Sequence, residues 1–164
     1  MTVIGGLPAH ALFLHFIVVL VPLTALLEVV CGFWPAARRG QLLWLTLLLA
    51  VANMVLTPIT IDAGEWLYDL RAKPSPILQE HAERGQAMIY FSGALLLIAI
   101  GLVVLRFTEG RFESRRTAIN VAVGILTLAV GIASTVQIYR VGDAGAQSVW
   151  GGEIEHLKKA HPGG

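Results

Sequence analysis

The chain has 164 residues, of which 55% are apolar and only 14% charged, and Lys+Arg 12 against Asp+Glu 11 leaves a formal charge of +1. A soluble domain would carry about 25% charged residues, and a disordered chain would carry far less apolar surface, so both are set aside. A single cysteine, Cys31, excludes a disulfide scaffold, and the missing basic excess argues against a nucleic-acid binder. With a mean hydropathy of +0.70, the composition is that of a small integral membrane protein.

Four apolar runs follow one another: Leu12 to Phe33, Leu42 to Ile61, Ala87 to Leu105 and Ile119 to Ile138. Each approaches the ~20 residues needed to cross ~30 Å of hydrocarbon at about 1.5 Å per residue. Backbone groups in lipid must be satisfied within the segment, so these runs are expected to be helices. The first is too long for a signal peptide and no Lys or Arg precedes it, so it is read as a retained helix. Pro8 suits its first turn, behind a loose Gly5-Gly6, and Pro22 predicts a kink in its middle.

A short basic turn, Trp34 to Gly40, leads into the second helix, which is expected to continue past Ile61 through Asp69. Ser75-Pro76 reads as an N-cap followed by Pro at the first helical position, so the third helix should begin well before its apolar run. Arg106 to Thr117 forms a second short loop, with Arg106, Arg111, Arg115 and Arg116 against Glu109 and Glu113. Residues 1–141 are read as one transmembrane domain and 142–164 as a Gly-rich polar tail outside it.

Lys and Arg in short loops mark the cytoplasmic side. Both termini and the longer acidic connection, Asp62 to Gln86, are then expected on the outside. Arg140, Lys158 and Lys159 pull the other way but are diluted by Asp143, Glu153 and Glu155. Small and polar residues recur at helical spacing in three of the helices: Thr46, Asn53, Thr57, Thr60 and Gly64; His81, Gly85, Ser92 and Ala99; Asn120, Gly124, Thr127, Gly131 and Ser134. Helices in lipid meet through such faces, which predicts an all-α, up-down-up-down four-helix bundle.

The five histidines, His10, His15, His81, His156 and His161, all fall at or near the same face, away from the arginine loops. Imidazole is the commonest metal ligand and an axial ligand of haem iron. His10 and His15 lie about 140° and about 7.5 Å apart on one helix, so they cannot share a metal. His15, if it faces inward, is the best single ligand candidate. His15 with His81 differs in depth, whereas His10 with His81, joined by Asp62 or Glu65, matches better and resembles a divalent-metal or proton site. His156 and His161 are read as incidental. Glu28, the one acid well inside an apolar run, is expected to reach the interface or pair with Arg38 or Arg39, ahead of relaying protons. CxxC, CxxCH, Walker and HExxH patterns are all missing, so nothing points to an enzyme.

The opening Gly6-Leu7-Pro8-Ala9-His10-Ala11-Leu12-Phe13-Leu14-His15-Phe16 resembles the start of a bacterial membrane family, domain of unknown function 2231. Its members begin with His-x4-His-Phe running into the first of four helices, carry a histidine near the start of the third, matching His81, and end the last in a Gly-containing polar turn like Tyr139 to Ala146. Some members are joined to Rieske or cytochrome c domains, so the resemblance implies membrane electron transfer with haem b. Many members carry a histidine near the position of Asp143, and this chain departs from them there.

The leading expectation is therefore a membrane protein with a histidine-based site (His15, His81, His10) near the external face. The site would hold haem b or a divalent metal and work with a redox protein or respiratory complex. The alternative is an accessory subunit of a larger membrane complex, with no chemistry of its own. Proton movement along Glu28, Asn53 and His15 ranks last, because an apolar gap is expected between Glu28 and His15.

Overall fold

The computed structural model describes residues 3, 4, 6–108 and 116–160. Arg111, Arg115, Glu109 and Glu113 of the second loop, together with His161, lie outside the described residues, and so does the side chain of His156. The chain opens with two two-residue strands, β1 (Val3–Ile4) and β2 (Leu7–Pro8), paired antiparallel. They turn through Gly6, whose φ of 84° is open to glycine and unfavourable for other residues. The loose lead-in expected before Pro8 is thus a tight hairpin.

Among the described residues five helices follow: α1 (Ala9–Phe33), the short α2 (Pro35–Arg39), α3 (Gln41–Asp69), α4 (Pro76–Thr108) and α5 (Arg116–Ala160). Four of them are long and apolar enough to cross a membrane. Ser75 caps α4 as its sequence suggests: its Oγ accepts from the Leu78 N–H at 3.3 Å, with Pro76 at the first helical position. α3 runs through Asp69 as expected.

α5 departs from expectation. The segment read as a polar tail from Gly142 onward continues the helix to Ala160. Glycine disfavours helix by about 1 kcal/mol per residue, but tertiary contact overrides that preference here. Val141 and Ala144 are buried, and the Gly145 backbone lies against His81.

The four long helices form a ring in which α1 packs on α3 and α5, and α4 packs on the same two neighbours. α1 and α4 therefore stand diagonally, as do α3 and α5. Burial runs opposite to a soluble protein. Leu97 is 71% exposed and Phe107 72%, whereas Asn53, Thr46, Ser92, Thr127 and Ser134 are wholly buried. An apolar exterior around a core of small and polar side chains is what lipid solvation requires.

Candidate functional site

His10 stands at the start of α1 and His81 in the second turn of α4. Both helices run the same way, so the two residues arrive at the same end of the bundle. Their ring centres are 5.9 Å apart with planes at 85°. The Nδ1 of His10 donates to the Thr60 carbonyl on α3 at 2.9 Å, and the Nδ1 of His81 donates to the Val141 carbonyl on α5 at 2.9 Å. A carbonyl oxygen can only accept, so each ring carries its proton on Nδ1 and keeps an Nε2 lone pair. Among the described residues, neither Nε2 makes a hydrogen bond.

Each ring rests on a glycine one turn beyond its carbonyl partner. A Cβ on Gly64 would come within 2.8 Å of His10 Cε1 and Nδ1, and one on Gly145 within 3.0 Å of His81 Cε1. Glycine at both places lets imidazole lie directly on a neighbouring helix backbone.

This correspondence extends through the molecule. The buried positions of α3 (Leu43, Thr46, Ala50, Asn53, Thr57, Thr60 and Ala63) are matched one for one on α5 by Gly124, Thr127, Gly131, Ser134, Ile138, Val141 and Ala144, at one constant sequence shift. Ile17, Val21, Thr24, Glu28 and Cys31 of α1 likewise fall in step with Met88, Ser92, Leu95, Ala99 and Leu102 of α4, at a shift that carries His10 onto His81. The α1–α3 and α4–α5 pairs are structural repeats about an axis along the bundle, and the histidines are equivalent residues of the two repeats. Two tripeptides are identical at matched positions of α3 and α5: Leu45-Thr46-Leu47 recurs as Leu126-Thr127-Leu128, and Asp62-Ala63-Gly64 as Asp143-Ala144-Gly145. This repeat is the signal in the sequence that reading each span separately misses.

The other candidate residues sit differently. His15 is exposed, and its Nδ1 donates to the Ala11 carbonyl of its own helix. It lines the same cavity as His10 and His81 but does not join the pair. Asp62 and Glu65 are exposed, and Glu65 Oε1 accepts from Gln86 Nε2 at 3.0 Å. Among the described residues, no three His, Cys, Asp or Glu side chains come together as a metal site, so His10, His81, Asp62 and Glu65 do not form one cluster. The cavity at this end measures about 1290 Å³ and is bordered by Arg71 and Lys73 of the α3–α4 connection.

At the opposite end, Arg38 is fully buried. Its guanidinium donates to the Cys31 carbonyl at 2.8 Å, to the Gly32 carbonyl at 3.3 Å and to Asn120 Oδ1 at 2.8 Å. It thereby caps the last turn of α1 and ties it to α5. Glu28 is also fully buried, yet neither of its carboxyl oxygens has a hydrogen-bond partner, so the expected pairing with Arg38 or Arg39 is not made.

A family described as "Predicted membrane protein (DUF2231)" matches residues 6–158. Neither the curated proteins nor the solved structures contain a match to the chain. Nearly the whole four-helix unit, with both histidines and both Asp-Ala-Gly repeats, lies inside the matched region, and the chain belongs to the DUF2231 family of predicted membrane proteins.

Proposed function

We propose that the protein binds haem b between His10 and His81 and transfers electrons in the membrane. The observation that carries this reading is the paired imidazoles, each fixed through Nδ1 and each keeping Nε2. Two imidazoles would be enough to hold haem iron, whereas a structural zinc site needs four ligands. The ring centres of His10 and His81 lie 5.9 Å apart, so the two side chains are neighbours at one end of the bundle. The neighbouring cavity exceeds the ~300–1,000 Å³ of ordinary ligand sites, which leaves room for a porphyrin.

The protein's own groups have definable tasks. The Thr60 and Val141 carbonyls fix the imidazole tautomers and orientations and make Nε2 more basic. Gly64 and Gly145 keep the rings against the helices. Arg71 and Lys73 supply cationic charge at the cavity edge for two carboxylates. Haem iron with two imidazole ligands exchanges single electrons and offers no open position for substrate. The arginine-rich turns then lie in the cytoplasm of a bacterial cell and the histidine end outside its inner membrane, where a redox protein would dock.

The test is an absorption spectrum and iron analysis of gently purified protein from cells making haem. The expected result is a Soret band with about one iron per chain, lost on His10→Ala or His81→Ala while helical circular dichroism persists. A colourless, iron-free, folded protein overturns the reading.

A further inference from the structure

The hydroxyls along the bundle axis direct their hydrogen bonds in one pattern. Thr24, Thr46, Thr57 and Thr60 each donate to the carbonyl four residues back, at 2.7 to 2.8 Å. Thr57 having spent its proton, the 2.7 Å contact between Thr57 Oγ1 and Ser92 Oγ has Ser92 as its donor. Asn53 Nδ2 donates to Thr24 Oγ1 at 2.8 Å. At mid-depth the supply of protein donors runs out. Both oxygens of Glu28, the Oδ1 of Asn53 and the Oγ of Ser134 have no partner. All three residues are wholly buried.

These orphans belong together. Asn53 and Ser134 are equivalent residues of the two repeats and so occupy one level on opposite sides of the axis. Glu28 lies one turn beyond Thr24, the partner of Asn53, and helical side chains lean towards their helix N-terminus, that is, towards this level. The equivalent of Glu28 on α4 is the short Ala99, whereas Gly131, the equivalent of Ala50, is closed against Ala25, whose Cβ lies 3.2 Å from the place of a Cβ on that glycine. Buried polar atoms are nearly always satisfied, by protein groups or by water.

We infer that Glu28, Asn53 and Ser134 enclose an internal hydrated site in which Glu28 binds a proton that reaches it from the histidine end through the Thr57–Ser92 hydroxyl pair. The Cys31 thiol on the same helix interacts with Glu28, and Arg38 from α2 approaches that thiol. Among the described residues, α3, α4 and α5 bury no ionisable side chain. The interval between Glu28 and His15 is not wholly apolar, since the buried side chains of Thr24, Asn53, Thr57 and Ser92 lie within it. The inference stands whether or not the histidines hold haem.

The test is infrared spectroscopy of the full-length protein in lipid bilayers. At neutral pH a protonated-carboxyl C=O band should be present, vanish in Glu28→Gln, and move to lower frequency on transfer to deuterium oxide. Ser92→Val, which removes one hydrogen-bond link, should slow that shift by roughly tenfold. Ser134→Ala, which changes no packing, should move the band position. A band unchanged in Glu28→Gln, one that never exchanges, or exchange at the wild-type rate in Ser92→Val would each overturn the inference.

Discussion

The two ends of the bundle each bury basic side chains against helix carbonyls, and they differ in what those side chains have left over. Arg38 directs its guanidinium at the Cys31 and Gly32 carbonyls and at Asn120, which staples α1 to α5. His10 and His81 each use one nitrogen to anchor and keep the other. A polar group whose capacity goes into its own fold is structural. One anchored through Nδ1 with an Nε2 lone pair in reserve can still accept a proton or a metal, which is the ground of the proposed haem site.

Substitutions at the two ends should therefore dissociate. His81→Ala should remove the Soret absorbance entirely while leaving thermal unfolding in detergent nearly unchanged. Arg38→Leu should do the reverse. It leaves the carbonyls of buried Cys31 and Gly32 and the partly buried Asn120 without this donor, which costs about 2–3 kcal/mol and should be read as easier unfolding in a denaturing-detergent titration. If Arg38→Leu also bleaches the protein before it unfolds, the separation between the ends breaks down.

Finer substitutions sharpen the same contrast. Gly64→Ala forces a methyl to within 2.8 Å of His10, and Gly145→Ala to within 3.0 Å of His81. Overpacking of this kind costs about 1–3 kcal/mol, and because the ring must move, a changed spectrum should accompany it. Gly64→Ala should have the larger effect, readable as a shifted absorbance maximum or a lower haem content per chain. The smallest effect is expected from His15→Ala. Its ring is exposed and bonded only to its own helix, so the spectrum should be that of the wild type and the stability change within about 0.5 kcal/mol. A bleached His15→Ala protein would move the site one turn deeper.

Much of the fold was readable from residue types. The four spans, the extension of the second helix to Asp69 and the Ser75-Pro76 start of α4 follow from hydropathy and capping chemistry. The depth argument that favours His10 over His15 as a partner for His81 depends only on helix rise and agrees with the pair that forms. Gly142 to Ala160 was less readable, because glycine and polarity there suggest a tail until His81 is seen resting on Gly145. The Glu28 pairing also misled. A carboxylate and an arginine at the same end of a bundle look like partners, yet Arg38 finds helix carbonyls and Asn120.

By itself the sequence determined four apolar helices in turn with small and polar residues on one face of each, because continuous apolar runs of about 20 residues satisfy their backbone in lipid as helices, whereas barrel strands are shorter and alternate. It also carried the repeated Asp-Ala-Gly that marks the two halves. Only the tertiary structure decided which histidines meet, which nitrogen each keeps, and that Glu28 stands without a partner. Those outcomes depend on helix rotation and on contacts between residues far apart in the chain, and hydrophobic periodicity constrains neither.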